Sequence, residues 1–161
     1  MIMISAYDDF ILSKSRQQQS HGFDALPIIV PAFDWQAHVI NWAVQKGRAA
    51  LFEDCGLGKT LQQLEWASQV CRKTGGSVLI LTPLSVAHQT ENEAKKFGIT
   101  AMVAESQSDV KLQGIWITNY EKLDKFDASK FIGVVLDESS ILKNFTGKTR
   151  KQLTDTFAET P

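Results

Sequence analysis

Apolar residues recur along this chain in two rhythms, and their alternation implies layers of helix on sheet. Over residues 34–47, Trp35, Val39, Trp42 and Ala43 fall at helical spacing, with Asp34 placed to cap the start and Gly47 to end it. These aromatics are expected to lie in the core. Leu61, Leu64, Ala67 and Cys71 mark a second helix that stops at Gly75-Gly76. Ser85 is placed to cap a third helix running to Phe97, with Lys95 and Lys96 in its last turn and Gly98 beyond. Between the helices the pattern changes. Residues 77–81 and 132–136 are almost uniformly apolar, as strands covered on both faces of a parallel sheet should be. Residues 99–103 and 114–118 read as further strands, and Ala49, Ala50, Leu51 and Phe52 form a short apolar run of the same kind. Strands alternating with helices at this spacing predict a doubly wound α/β layer structure.

The first 31 residues do not share this regularity. Tyr7, Phe10 and Ile11 fit one face of a short helix that fades at Gln17, Gln18, Gln19 and Ser20, and His21-Gly22 breaks it. Pro27 and Pro31 bracket an extended Ile28-Ile29-Val30. The segment is too short to bury a core alone. It reads as an appendage laid across a body formed by residues 32–161.

Composition adds mainly exclusions. The 161 residues suit one domain, and 43% hydrophobic with 22% charged residues is ordinary for a globular protein. A formal net charge of −1 supplies no global basic field, so any nucleic-acid contact must rely on a local patch. Cys55 and Cys71 are too few for a disulfide framework, and no Cys/His cluster has zinc spacing. No apolar run is long enough to span a bilayer, and MIMISAYDDF lacks the pattern of a secretion signal. The expectation is a cytoplasmic protein without membrane contact.

Candidate chemistry concentrates in two places. The first is Asp54-Cys55-Gly56-Leu57-Gly58-Lys59-Thr60, which follows the apolar run at residues 49–52 and opens a helix. A glycine-containing turn at a helix N-terminus surrounds a phosphate with backbone N–H groups. Lys59 would reach the β- and γ-phosphates, and the Thr60 hydroxyl would hold Mg²⁺. The strict GxxxxGK[ST] pattern asks for glycine where this chain has Glu53. The alternative is a plain glycine turn ending in an exposed lysine. The second place is Asp137-Glu138, delivered by the strand at 132–136 to the edge where open α/β sheets bind ligands. Asp137 would hold the Mg²⁺ and Glu138 would orient and deprotonate water. Gln36, upstream of the glycine turn, offers an amide able to match adenine, or else it is a solvated first-turn glutamine.

Taken together, these residues resemble the first RecA-like lobe of superfamily 2 helicases and translocases, closest to Swi/Snf-type and phage DEAD/DEAH-box proteins. DCGLGKTLQ is similar to the family's phosphate-binding motif, in which aspartate commonly opens the loop. The resemblance therefore implies ATP binding by Gln36, Gly56, Leu57, Gly58, Lys59 and Thr60, with Mg²⁺ at Thr60 and Asp137. Lys59 and Glu138 take the catalytic roles. LILTPLSV, carrying Thr82, Pro83, Leu84 and Ser85, and ITNYEKL, carrying Thr118, Asn119 and Tyr120, resemble the motifs that face nucleic acid. VVLDESSILKN resembles the DExH box, with Lys143-Asn144 as a Swi/Snf-type continuation. The likeness covers about residues 33–161 and implies a three-layer P-loop NTPase of RecA-like type, acting on nucleic acid, with DNA favoured by the Swi/Snf flavour.

Two departures qualify this. Ser140 stands where the DExH histidine is expected, preceded by Ser139, so coupling between nucleotide and nucleic acid must use a hydroxyl or another residue. After a helix-like stretch at 148–157, the sequence ends at Glu159-Thr160-Pro161, before the family's next core strand and second RecA-like lobe with its arginine finger. Such a finger is worth on the order of 10³–10⁵ in rate. The expectation is a truncated lobe that binds ATP weakly and hydrolyses it poorly. A non-catalytic nucleotide-binding interaction module, or an inactive fragment, is the alternative. A small-molecule kinase would leave the TPLS, TNYE and DESS features without roles.

Overall fold

The computed structural model describes residues 20–138. In chain order they form α1 (Asp34–Lys46), α2 (Lys59–Thr74), β1 (Ser77–Thr82), α3 (Ala87–Lys96), β2 (Ala101–Val103), β3 (Ile115–Asn119) and β4 (Phe131–Leu136). Short 3-10 turns occupy Gln107–Asp109, Tyr120–Lys125 and Ala128–Lys130. The expected helix near Tyr7 and the stretch at 148–157 lie outside the described residues, as do Ser139, Ser140 and Lys143-Asn144.

The four strands form one sheet in the order β2-β3-β1-β4, and every pairing is parallel. β1 runs beside β3 from Val78↔Ile115 to Thr82↔Asn119, and beside β4 with a register irregularity at Ser77/Val78. Alternation along each strand divides the interior into two cores. Val78, Ile80, Ile115 and Ile117 face a core shared with Ile40, Val44, Leu64, Ala67, Ala87 and Ala94 from the three helices. Leu79, Leu81 and Trp116 face the other, shared with Tyr120, Leu123, Phe126 and Phe131. The chain is thus an α/β protein in layers. Among the described residues, however, the second face carries 3-10 turns in place of helices. The crossovers β1-α3-β2 and β3-to-β4 travel in opposite directions across the sheet. Crossovers of one hand must then lie on opposite faces, as they do here.

Several sequence expectations need correction. Residues 49–52 form no strand: Phe52 is 96% exposed, and the run pairs with no described strand. An apolar run becomes a strand only where a sheet edge receives its backbone groups. In α1 the buried face is Gln36, Ile40, Ala43 and Val44, while Trp35 and Trp42 remain partly exposed. Phe33, not Asp34, occupies the N-cap position. Ser85 does not cap α3, whose N-cap position is Val86 and has no side-chain cap.

Residues 20–32 form a strap packed along the helical layer. Val30 is buried, and Phe23, Ala25, Ile28 and Ala32 pack against the helical core. Its backbone is pinned to α2: Leu26 N–H donates to Gln69 Oε1 at 2.8 Å, and Arg72 donates to the Pro27 carbonyl at 3.2 Å. This strap explains why Glu65 and Gln69 are fully buried. Glu65 Oε1 accepts from Arg72 Nη2 at 2.9 Å. Burial pushes the Glu65 carboxyl above its ordinary pKa, with the Arg72 charge opposing.

Candidate functional site

Because every strand is parallel, their carboxyl ends share one edge. Thr82, Asn119 and Asp137 all arrive there. The glycine loop enters the same neighbourhood through α2. Gly56 and Gly58 have φ of +82° and +78°, a region that side chains disfavour. Gly58 is constrained twice, since an added Cβ would lie 2.5 Å from Gln36 Nε2. With Gly58 at the N-cap position, α2 starts without a side-chain cap and without an acidic residue in its first turn. Its leading N–H groups suit an anion.

Lys59 begins α2 and curls back over the loop. Its Nζ donates to the Glu53 and Asp54 carbonyls at 3.1 and 3.2 Å. Thr60, next in the helix, is half-buried. Gln36 is 5% exposed, and both ends of its amide are engaged: Phe33 N–H donates to Oε1 at 3.0 Å, and Nε2 donates to the Leu57 carbonyl at 2.9 Å. It therefore fastens the start of α1 to the phosphate-loop candidate. It is not a solvated glutamine.

Two loop-holding residues escaped the sequence reading. Gln62 Nε2 donates to Glu53 Oε2 at 2.8 Å and approaches the Leu57 carbonyl at 3.3 Å. Glu53, the departure from the strict pattern, thus serves as an anchor for the loop. The only available signal was the coexistence of an unexpected acid at 53 and an amide at 62.

Asp137 is half-buried at the end of β4. Its N–H donates to the Leu81 carbonyl at 2.9 Å, and its own carbonyl accepts from the Tyr120 hydroxyl at 2.6 Å. Burial raises the pKa of its carboxyl, and the neighbouring Glu138 charge raises it further; Glu138 N–H, the Gln63 amide and the Lys59 ammonium pull it down. Glu138 is the one described non-glycine residue with positive φ, at +50°. Such backbone costs energy and persists only where its surroundings enforce it.

The third group of residues divides. Leu84 is 62% exposed and Ser85 is exposed beside it, with Pro83 half-buried. Thr82 is buried, its Oγ1 donating to the Pro83 and Thr118 carbonyls at 3.2 and 3.4 Å. Thr118 is buried with no partner for Oγ1, and Asn119 Oδ1 accepts from Glu121 N–H at 3.1 Å. A cavity of about 150 Å³ opens here, lined among others by Leu84, His88, Thr118, Asn119 and Lys122. Lys122 is paired with Glu105. Tyr120 stands apart from this group, being 4% exposed with its hydroxyl turned inward to Asp137.

Among the described residues, no group of three or more His, Cys, Asp or Glu could hold a metal ion. None of the described helices is long and apolar enough to cross a membrane. A wider groove of about 510 Å³, lined by Ser20, Phe23, Gln45 and Lys73, lies away from the residues above. A scan of protein-family models finds no match to this chain, and a search of curated protein sequences finds none.

Proposed function

We propose that this chain is the ATP-binding lobe of a nucleic-acid-dependent ATPase, a DNA helicase or translocase with a RecA-like P-loop core. One observation carries the reading: Gly56 and Gly58, at φ of +82° and +78°, lead into the uncapped start of α2 with Lys59 curled over the loop, and the parallel sheet delivers Asp137 to the edge that this loop approaches. A lysine at a glycine-loop helix start, facing a strand-end aspartate, is the minimum constellation for binding a magnesium nucleotide.

The residues' roles follow from their positions. The uncapped N–H groups of α2 receive phosphate oxygens. Lys59 exchanges the Glu53 and Asp54 carbonyls for the β- and γ-phosphates, trading neutral acceptors for charged ones. Gln36 sits beside Leu57 and Gly58, and to read adenine its amide must give up the bonds it makes to Phe33 N–H and the Leu57 carbonyl. The donor set fits Mg²⁺: a carboxylate whose ionisation is disfavoured by burial and by a second carboxylate, with a helix-borne hydroxyl at Thr60. Few protein ligands suffice, since Mg²⁺ usually keeps waters and phosphate oxygens. When bound, the ion neutralises charge developing on the phosphates. Glu138 accepts the proton of the attacking water. Nucleic acid lies against the carboxyl edge near Leu84, Ser85, Thr118 and Asn119, gripped through its phosphates.

Titration of the full chain with a fluorescent ATP analogue, with and without Mg²⁺, tests this. Asp137→Asn should remove most of the magnesium-dependent gain in affinity and leave metal-free binding nearly unchanged. Equal magnesium dependence in both proteins would mean that Asp137 is no metal ligand.

A further inference from the structure

A pocket rejects the wrong ligand most strongly when that ligand leaves the pocket's own buried polar groups unpaired. Gln36, the side chain placed to read a base, is not such a group. It is 5% exposed and paired at both ends, accepting from Phe33 N–H at 3.0 Å and donating to the Leu57 carbonyl at 2.9 Å. The first bond caps the start of α1, and the second holds the loop between its two positive-φ glycines. Gly58 closes over the amide, since an added Cβ there would lie 2.5 Å from Nε2. Turning the amide to a base breaks two hydrogen bonds for the two it makes, and strands the Phe33 N–H and the Leu57 carbonyl. A base that makes no bond to Gln36 leaves the amide paired as it is.

We propose that Gln36 is a positioning residue for the glycine loop, and that the site takes nucleoside triphosphates with little regard to the base. This rests on the nucleotide-binding reading above and names the substrate class of that site. The neighbouring amide of Gln62 is also spent on the loop, donating to Glu53 Oε2 at 2.8 Å and approaching the Leu57 carbonyl at 3.3 Å. Its Oε1 has no partner among the described residues, but Gln62 is 1% exposed and presents that oxygen to no ligand. What remains open to a ligand is the uncapped start of α2 and the Lys59 ammonium, whose present acceptors are main-chain carbonyls. Both address phosphate, which ATP, GTP and CTP share. Affinity is therefore set by the triphosphate and by how firmly Gln36 holds the loop that meets it.

Isothermal titration calorimetry on the full chain tests this with the magnesium complexes of ATP, GTP, CTP and inorganic tripolyphosphate. In wild type the three nucleotides should bind within about five-fold of one another. A larger preference for ATP overturns the proposal and leaves the nucleotide site standing. Gln36→Met keeps the length of the side chain and deletes both polar ends. It should weaken all four ligands by one common factor, on the order of ten-fold. A loss confined to ATP would show that the amide reads adenine, and unchanged affinity for all four would show that it does not position the loop; either overturns the proposal. The calorimetric stoichiometry separates a weakened loop from a fraction of unfolded chain. Should Gln36→Met fail to fold, the wild-type comparison decides alone. Absence of binding by every nucleotide overturns both this proposal and the nucleotide site.

Discussion

At the scale of single residues, the glycine loop separates two kinds of constraint that sequence cannot tell apart. Gly56 and Gly58 both have φ near +80°, yet an added Cβ at Gly56 meets nothing within 4 Å, whereas at Gly58 it meets Gln36 Nε2 at 2.5 Å. Gly56→Ala should therefore cost only backbone strain, roughly 1–2 kcal/mol. Gly58→Ala carries the same strain and also displaces Gln36 from the Leu57 carbonyl. Urea unfolding should rank Gly58→Ala below Gly56→Ala, and nucleotide affinity should fall further for Gly58→Ala. Equal losses would mean that the Gln36 contact is incidental. Lys59, Thr60 and Asp137 can be proposed from sequence because glycine loops and strand-end acids carry their chemistry in residue type and spacing. Gln62, the anchoring role of Glu53 and the inward-turned hydroxyl of Tyr120 cannot. Their importance lies in which main-chain carbonyl or side-chain oxygen each one meets, and spacing does not report that.

At the scale of elements, the four strands of the sheet were read within one or two residues from their apolar runs, whereas the similar run at 49–52 forms no strand. The face of α1 was misread for a physical reason. Trp35 and Trp42 dominate any hydrophobicity count, but large aromatics can lie half-exposed while smaller residues fill the interface. Likewise α2 carries Glu65, Gln69 and Arg72 in a pattern that resembles a solvated face until the strap at residues 20–32 covers it. That buried carboxylate makes stability depend on pH. Its folded pKa lies above the ordinary value of 4.5, so the native state binds the proton more tightly than the unfolded chain. Below 4.5 both states are protonated and there is no penalty. As pH rises through 4.5 and then through the raised folded value, stability is lost. Glu65→Gln keeps an acceptor for Arg72 and removes the titration. Thermal melts between acid and neutral pH should show a shallower alkaline-side decline in Glu65→Gln than in wild type. Parallel curves would place the carboxyl in a more solvated setting than its zero exposure implies.

At the scale of the whole molecule, the parallel sheet matters because it delivers Thr82, Asn119 and Asp137 to one edge, where α2 brings Lys59. The α/β class and the parallel pairing follow from alternating helix and strand patterns. The distribution of layers does not, because the 3-10 turns on the second face are built from local capping at Asn119 and Asp127 that no periodicity announces. A lobe that binds nucleotide only when folded must gain stability from it by mass action: at 100 times Kd the gain is about 2.7 kcal/mol. The decisive measurement is the melting temperature of the full chain across a MgATP titration, for wild type and Lys59→Ala side by side. The account predicts a rise in wild type that saturates with MgATP, and little or none in Lys59→Ala. A Lys59→Ala protein stabilised as strongly as wild type, or a wild type indifferent to MgATP, would contradict it.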